Sequence, residues 1–234
     1  GKNVEHVKDY VNARKAPWEY PHRGGRTYAM EEAYPVLRRD YPLNEKNLDW
    51  WASDRDSPYT EIKRFDWYRG YQVGGRSLLW GRHSYRLSDL DFAANARDGI
   101  AVDWPIRYED IAPWYSYVER HAGIAGSNEG MAQFPDGEFM PPIPLNCAEE
   151  LVAGRVNDQF GGKRRIVHSR VANITQPLPG RAPCQYRNAC WLGCPYGAAF
   201  STQSSTLPAA MATGRLTLKP WSIVSELIYD KDRK

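Results

Sequence analysis

The sequence of 234 residues has no apolar run near the roughly 20 residues that a membrane-spanning helix needs. Its formal net charge is only +3, and with 25% charged residues it has no strong basic or acidic face, so binding to nucleic acid, which needs clustered lysines and arginines, is not supported. Internal repeats and low-complexity segments are absent as well. The hydrophobic fraction of 42% suffices for a core, and we expect one large domain or two small ones.

The most informative stretch is VGGRSLLWGRHSYR, at residues 73–86. Gly74 and Gly75 have no Cβ, so both tolerate positive φ and allow backbone N–H groups to approach a ligand closely. Ser77 adds a hydroxyl, and such oriented amides suit a phosphate or the polar edge of a ring. The residues leave two interpretations open, namely a tight turn between strands with Trp80 in the core, or a ligand-binding loop.

Three of the four cysteines form a Cys-x5-Cys-x3-Cys arrangement at Cys184, Cys190 and Cys194. Thiolates are the soft ligands that iron–sulfur clusters and zinc prefer. A structural zinc site needs a fourth ligand, for which Cys147 and His168 are the candidates. The alternatives are one disulfide with a free thiol, or reduced buried cysteines.

Hydrophobic spacing and turn residues predict a mixture of short elements. Asn146 is a plausible N-cap for a helix that runs through Phe160 and stops at a second glycine pair, Gly161 and Gly162. Further helices are predicted at residues 4–14 and at 204–213, and a third has Pro113 in its first turn and stops at Gly123. Strands are predicted at residues 64–73, 165–169, 216–218 and 223–229. The expected fold class is α/β to α+β with much coil.

Three blocks of the sequence resemble one known family. They are GGRSLLWG at residues 74–81, DWPIRYEDIAPWY at 103–115, and a segment from Ser201 to Gly214 that contains LPAA. In this order they are similar to blocks of the glucose–methanol–choline (GMC) oxidoreductases, and most similar to the bacterial FAD-dependent sugar and sugar-acid dehydrogenases.

The resemblance implies an arrangement of domains. It predicts the middle portion of a GMC-type FAD-binding domain with part of its substrate-domain or cap insertion. Residues 1–16 would be a remnant of the FAD-binding domain, 17–70 an irregular segment like a cap or lid, and 71–234 the rest of that domain, with a cysteine-containing loop at 184–197. The chain opens without Met and ends on a polar run, so we expect an internal piece of a longer enzyme.

The resemblance also implies site residues. Those expected to contact FAD are Gly74, Gly75, Ser77, Trp80, Gly81, Arg82, His83 and Val224. The three clustered cysteines, Cys184, Cys190 and Cys194, would hold a three-iron iron–sulfur cluster. The catalytic base of the family is a histidine, paired with a second histidine or an asparagine, and no segment here matches the part that contains it.

The expected activity is oxidation of a CH–OH group of a sugar or polyol, with hydride transfer to flavin N5. The electron acceptor stays open among a cytochrome, a quinone and oxygen. The rival interpretation is a non-catalytic carbohydrate-binding or interaction module, with its aromatic residues as a sugar platform and its cysteines as structural staples. A protein that holds only a metal at its cysteines is a third possibility. The sequence does not assign a compartment.

Overall fold

The computed structural model describes Tyr10 and residues 13–39 and 43–232. Most of the helix predicted at residues 4–14 therefore lies outside the described residues. Within them the α-helices are α1 (Tyr28–Ala33), α2 (Asp89–Phe92), α3 (Ala94–Asp98), α4 (Tyr108–Ala122), α5 (Cys147–Phe160) and α6 (Thr206–Ala212). Short 3₁₀ turns occur at Pro17–Glu19, Leu37–Arg39, Leu48–Trp50, Gly75–Leu78 and Cys190–Leu192. None of the helices in this described part is long and apolar enough to cross a membrane.

The chain forms two compact units. The first unit contains the described residues up to Trp80, then Ala189–Pro195 and the residues from Thr206 onward. Two small clusters of buried side chains form its core. One contains Tyr10, Ala13, Trp50 and Leu78, and the other contains Leu37, Leu43 and Trp51. Leu79, directly before Trp80, packs against both clusters, so the segment after the first glycine pair is anchored in this core.

The second unit contains Gly81–Asn188 and Tyr196–Ser205. Its helix α5 agrees with the prediction from sequence. The Asn146 side chain accepts hydrogen bonds from the backbone N–H groups of Ala148 and Glu149, both at 3.0 Å, and caps the helix. Gly161 ends the helix in the left-handed conformation, with φ of 56°.

The predicted start of α4 is wrong, whereas its predicted end is confirmed. The helix begins at Tyr108, five residues before Pro113, and ends at Gly123, whose φ is 75°. Carboxylates satisfy the first N–H groups, because Asp110 accepts from the Arg107 N–H at 2.7 Å and Asp89 accepts from the Tyr108 N–H at 2.8 Å. Pro113 therefore lies inside the helix.

The predicted strands do not form ladders among the described residues, where the β-pairing consists of isolated bridges. At 64–73 the chain is bridged to Trp51 through Gly70, and residues 165–169, 216–218 and 223–229 have no bridge. The last of these segments is exposed, with Ile223 at 95% and Ile228 at 91% relative exposure. The chain is therefore mostly coil with short helices, which is compatible with part of an α/β domain.

Within the second unit, a buried ion pair connects α4 to the chain before α2. The Arg86 guanidinium donates to both carboxylate oxygens of Glu119, at 2.7 and 2.6 Å, and also to the Tyr108 hydroxyl at 2.7 Å. The hydrogen bond to Glu119 holds the pKa of Arg86 above its ordinary value. Glu119 also accepts from the Glu138 N–H at 2.9 Å, so the pair fixes the loop that precedes Phe139.

Candidate functional site

The first glycine pair builds a left-handed turn in the first unit. Gly74 has φ of 93° and Gly75 has φ of 51°, and a 3₁₀ turn follows directly. The Ser77 hydroxyl donates to the Gly74 carbonyl at 2.6 Å, so this hydroxyl closes the turn. A Cβ added at Gly75 would meet no atom within 4 Å, so the turn borders open space on that side. The chain turns at this glycine pair, and this geometry is compatible with both interpretations of the stretch, the tight turn and the ligand-binding loop.

A cavity of about 650 Å³ lies in the same unit, beside the chain that leads into this turn. This volume is within the range of about 300–1,000 Å³ that is usual for small-molecule and cofactor sites. We call it the neutral cavity, because its described lining contains no carboxylate, lysine, arginine or histidine. The lining residues are Ser57, Gly70, Tyr71, Gln72, Trp221, Ser222 and Ile223.

Gln72 is the most informative residue of the neutral cavity. Its side chain is only 4% exposed, and its Oε1 has no hydrogen-bond partner among the described residues. Its Nε2 lies 3.5 Å from the Gly75 carbonyl, so the amide is oriented by the glycine turn. An unpartnered buried acceptor is costly, and it is an acceptor that a bound N–H or O–H donor can satisfy.

Arg69 organises one side of the neutral cavity. Its guanidinium donates to Asp54 at 2.9 Å, to the Ser57 carbonyl at 2.5 Å and to the Tyr71 hydroxyl at 3.1 Å. The guanidinium also lies 5.0 Å from the ring centroid of Trp67, within the range of a cation–π contact. Because Ser57 and Tyr71 both line the cavity, Arg69 fixes two of its lining residues.

Backbone conformation marks another part of the lining of this cavity. Trp221 has φ of 60°, which is uncommon for a residue with a Cβ, and its neighbours Ser222 and Ile223 complete the lining. Val224, which the resemblance places against FAD, follows directly and is 77% exposed. Gln72, Arg69 and Trp221 were not identified from sequence, because their significance depends on burial and on contacts distant in the chain.

The predicted site residues divide between the two units. Gly74, Gly75, Ser77, Trp80 and Val224 belong to the first unit, and the glycine turn and Val224 adjoin the residues that line the neutral cavity. Arg76, which interrupts the run of small residues, turns its guanidinium to the Tyr68 carbonyl at 3.0 Å.

Gly81, Arg82 and His83 belong to the second unit. Arg82 is 3% exposed and has φ of 65°, a strained conformation of the kind that is common at functional sites. His83 Nδ1 lies 3.1 Å from Ser169 Oγ, and its ring stacks on Tyr85 with the centroids 6.3 Å apart. The His83 side chain is therefore held by neighbouring side chains, and its backbone forms an isolated antiparallel β-bridge with Val171.

The three clustered cysteines also divide, with Cys184 in the second unit and Cys190 and Cys194 in the first. No disulfide links any of the four cysteines, all of which are described. No group of three or more His, Cys, Asp or Glu side chains among the described residues is arranged to hold a metal ion. The iron–sulfur cluster predicted from the sequence therefore has no support in the structure.

Comparison with known proteins gives relatives of one enzymatic type. No family model matches the chain. The 2-methyl-1,2-propanediol dehydrogenase of Mycolicibacterium austroafricanum is 35% identical over 193 residues, which are 77% of this chain and 34% of that protein. The fructose dehydrogenase large subunit of Gluconobacter japonicus is 27% identical over 131 residues, which are 55% of this chain and 24% of the relative.

An oxygen-dependent choline dehydrogenase of Xanthomonas euvesicatoria pv. vesicatoria is 30% identical over 79 residues, which are 34% of this chain and 14% of that enzyme. The chain thus spans between 14% and 34% of the length of these relatives. Their names are of the GMC oxidoreductase type, and they support a general oxidoreductase function for this chain.

Proposed function

We propose that this chain belongs to an FAD-dependent oxidoreductase of the GMC family that oxidises a CH–OH group of a sugar or polyol. The observation that carries the proposal is the neutral cavity beside the Gly74–Gly75 turn, with the unpartnered Oε1 of Gln72 in its lining. The similarity to dehydrogenases over as much as 77% of the chain supports the same activity.

The residues present fit a flavin. The neutral lining and the aromatic side chains of Tyr71 and Trp221 suit a large planar ring. The buried Oε1 of Gln72 is an acceptor for an imide or amino N–H, which a flavin and an adenine both carry. The open space at Gly75 allows backbone atoms to approach polar atoms of the cofactor closely.

In this proposal the chain binds and orients the cofactor rather than performing proton transfer. A bound flavin would supply hydride acceptance at N5, which is the redox chemistry of the reaction. The described lining of the neutral cavity contains neither a histidine nor a carboxylate, so we assign no catalytic base in this chain. We infer that the base is a histidine elsewhere in the protein.

The proposal is tested by titrating FAD into the protein produced at the full length of its gene and freed of cofactor. Gln72→Met removes the acceptor with little change in volume, and we expect FAD affinity to fall roughly two- to tenfold, the size of one hydrogen bond. The matched control is Gln133→Met, which changes an amide in the second unit and is expected to leave FAD affinity unchanged.

The two possible failures of this experiment are distinguishable. If the unaltered protein does not bind FAD, the proposed function is wrong. If it binds FAD and Gln72→Met binds equally well, the flavin assignment stands and the role given to Gln72 is wrong.

A further inference from the structure

A second cavity, of about 390 Å³, lies within the second unit and differs from the first in its charge. We call it the basic cavity. Its lining contains three consecutive cationic residues and no carboxylate among the described residues. The lining residues are Met131, Gln133, Phe134, Gly162, Lys163, Arg164, Arg165 and Val167.

The second glycine pair builds one wall of the basic cavity. Gly161 and Gly162 both adopt left-handed φ, at 56° and 75°, and Gly162 N–H donates to the Asn157 carbonyl at 3.0 Å. The chain therefore leaves α5 in a tight reversal, and Lys163 follows at once. The three cations therefore begin directly after a helix end whose conformation is fixed by the two left-handed glycines.

The facing wall is a short loop held by its own hydrogen bonds. Phe134 N–H donates to the Met131 carbonyl at 3.0 Å, and the Asp136 carboxylate accepts from the N–H groups of Glu129 and Gly130, at 2.8 and 3.1 Å. Both walls are therefore built before a ligand arrives.

Among the carboxylates of the described residues, one neutralises a cation of this run. Arg165 donates to the Glu129 carbonyl at 2.9 Å and lies 3.7 Å from the Glu129 carboxylate, and so ties the two walls together. Lys163 and Arg164 form no ion pair with any carboxylate among the described residues. The Arg164 guanidinium stacks on Phe160, 4.5 Å from the ring centroid, which orients its charge without neutralising it.

The remaining lining suits the neutral body of a ligand. Gln133 offers an amide, and Met131, Phe134 and Val167 provide apolar surface. The Phe134 ring lies with its centroid 5.4 Å from that of the Tyr85 ring, so a second aromatic ring packs against this apolar wall. Two uncompensated cations beside an amide and an apolar wall match a molecule that has an oxyanion at one end and a compact body at the other.

We propose that the basic cavity binds a small molecule of about monosaccharide size that carries a carboxylate or phosphate group. Lys163 and Arg164 contact the oxyanion, and Phe134 and Gln133 contact the body. The concave, preformed shape favours a small molecule over an acidic protein segment. This inference concerns the basic cavity and not the neutral cavity, and it does not depend on the proposed function.

The test is isothermal titration of the full-length protein with D-glucuronate, glucose 6-phosphate and uncharged glucose. We expect at least one of the two anions to bind and glucose to bind more weakly or not at all. The tighter anion identifies the carboxylate or the phosphate as the preferred group. Binding should weaken as salt is raised, because the cations are exposed.

Two variants attribute the binding to the cavity. Lys163→Gln and Arg164→Gln are each expected to lower anion affinity about five- to tenfold, because each removes a charge-assisted hydrogen bond. The control is Lys63→Gln, which removes an exposed lysine in the other unit and should leave the affinity unchanged. Both sites are on the surface, so the variants should fold.

Three results would overturn the inference. The first is that neither anion binds, and the second is that glucose binds as tightly as the anions. The third is that the control variant lowers anion affinity as much as Lys163→Gln and Arg164→Gln do. In the first of these cases, binding of a poly-glutamate peptide would assign the cations to an acidic partner.

Discussion

The two cavities are built with the same backbone device and differ in chemistry. Each lies beside a pair of glycines with left-handed φ, at 93° and 51° for Gly74 and Gly75 and at 56° and 75° for Gly161 and Gly162. The first pair comes shortly after residues that line a cavity of neutral and aromatic side chains, and the second introduces three consecutive cations into another. A glycine pair thus provides a turn, and the neighbouring side chains determine which ligand the turn can serve.

The burial of polar groups sharpens the contrast. In the neutral cavity the informative group is the buried Oε1 of Gln72, which calls for a hydrogen-bond donor. In the basic cavity the informative groups are the exposed cations Lys163 and Arg164, which call for negative charge. A buried acceptor orients a bound ligand, whereas exposed charges attract a ligand, and salt weakens that attraction.

The largest expected effect is the loss of the ion pair that supports the second unit. Arg86 and Glu119 have side chains only 4% and 7% exposed. Glu119→Gln leaves Arg86 buried without its counter-charge, and we expect a loss of about 3–5 kcal/mol in the free energy of unfolding, measured by chemical denaturation. Glu109→Gln, on an exposed residue of the same helix, should change it by less than about 0.5 kcal/mol. A loss of similar size in both variants would contradict this account.

The effect of intermediate size comes from replacing a glycine of each pair by alanine, and it distinguishes the roles of the two pairs. Gly75→Ala and Gly162→Ala each place a Cβ on a left-handed residue with no atom closer than 3.8 Å, so only backbone strain is added. Each should cost about 1–2 kcal/mol in the free energy of unfolding. In ligand titrations, however, only Gly75→Ala should weaken FAD binding, and only Gly162→Ala should weaken anion binding. Equal effects of both variants on both ligands would remove the distinction between the cavities.

The smallest expected effect is a pH dependence of the free energy of unfolding, and it arises from a carboxyl group close to the basic cavity. Glu138 follows the loop that forms one of its walls, and its hydrogen bond with Arg120 lowers the pKa of its carboxyl below the usual value, while partial desolvation opposes this shift. A lowered pKa in the folded state adds stability above the usual glutamate pKa, and this stability is lost as the pH falls through the lowered pKa.

Arg120→Gln removes this hydrogen bond. The variant should therefore lose part of the stability difference between about pH 6 and pH 3 that the unaltered protein shows in denaturation experiments. At the acidic end the two proteins should converge. A constant offset at all pH values would indicate that packing, and not the carboxyl charge, accounts for the effect.

Features that depend on neighbours in sequence were predictable. The helix α5 follows from Asn146 and the glycines after Phe160, and the turn at Gly74 and Gly75 follows from the absence of Cβ atoms. The early start of α4 was missed because Asp89, nineteen residues away, accepts from the Tyr108 N–H. The strands predicted near the C-terminal end require pairing partners, and hydrophobic alternation alone does not supply them.

The candidate site was only partly predictable for the same reason. The glycine pair was identified from sequence and the role of Val224 stays a prediction, whereas Gln72 gained its significance from an unpartnered buried oxygen, which no spacing of residues reveals. The basic run at Lys163 was visible in the sequence, but only the structure shows that it lines a cavity.

The central claim is that this chain serves a flavin enzyme, and the visible absorption spectrum of the full-length protein tests it most directly. We predict two flavin bands that are bleached when a sugar or polyol substrate is added without oxygen, and FAD in the supernatant after denaturation. Iron analysis of the same sample would decide whether Cys184, Cys190 and Cys194 hold a cluster. A protein that contains no flavin and binds none when FAD is added would contradict the account and would favour a carbohydrate-binding module.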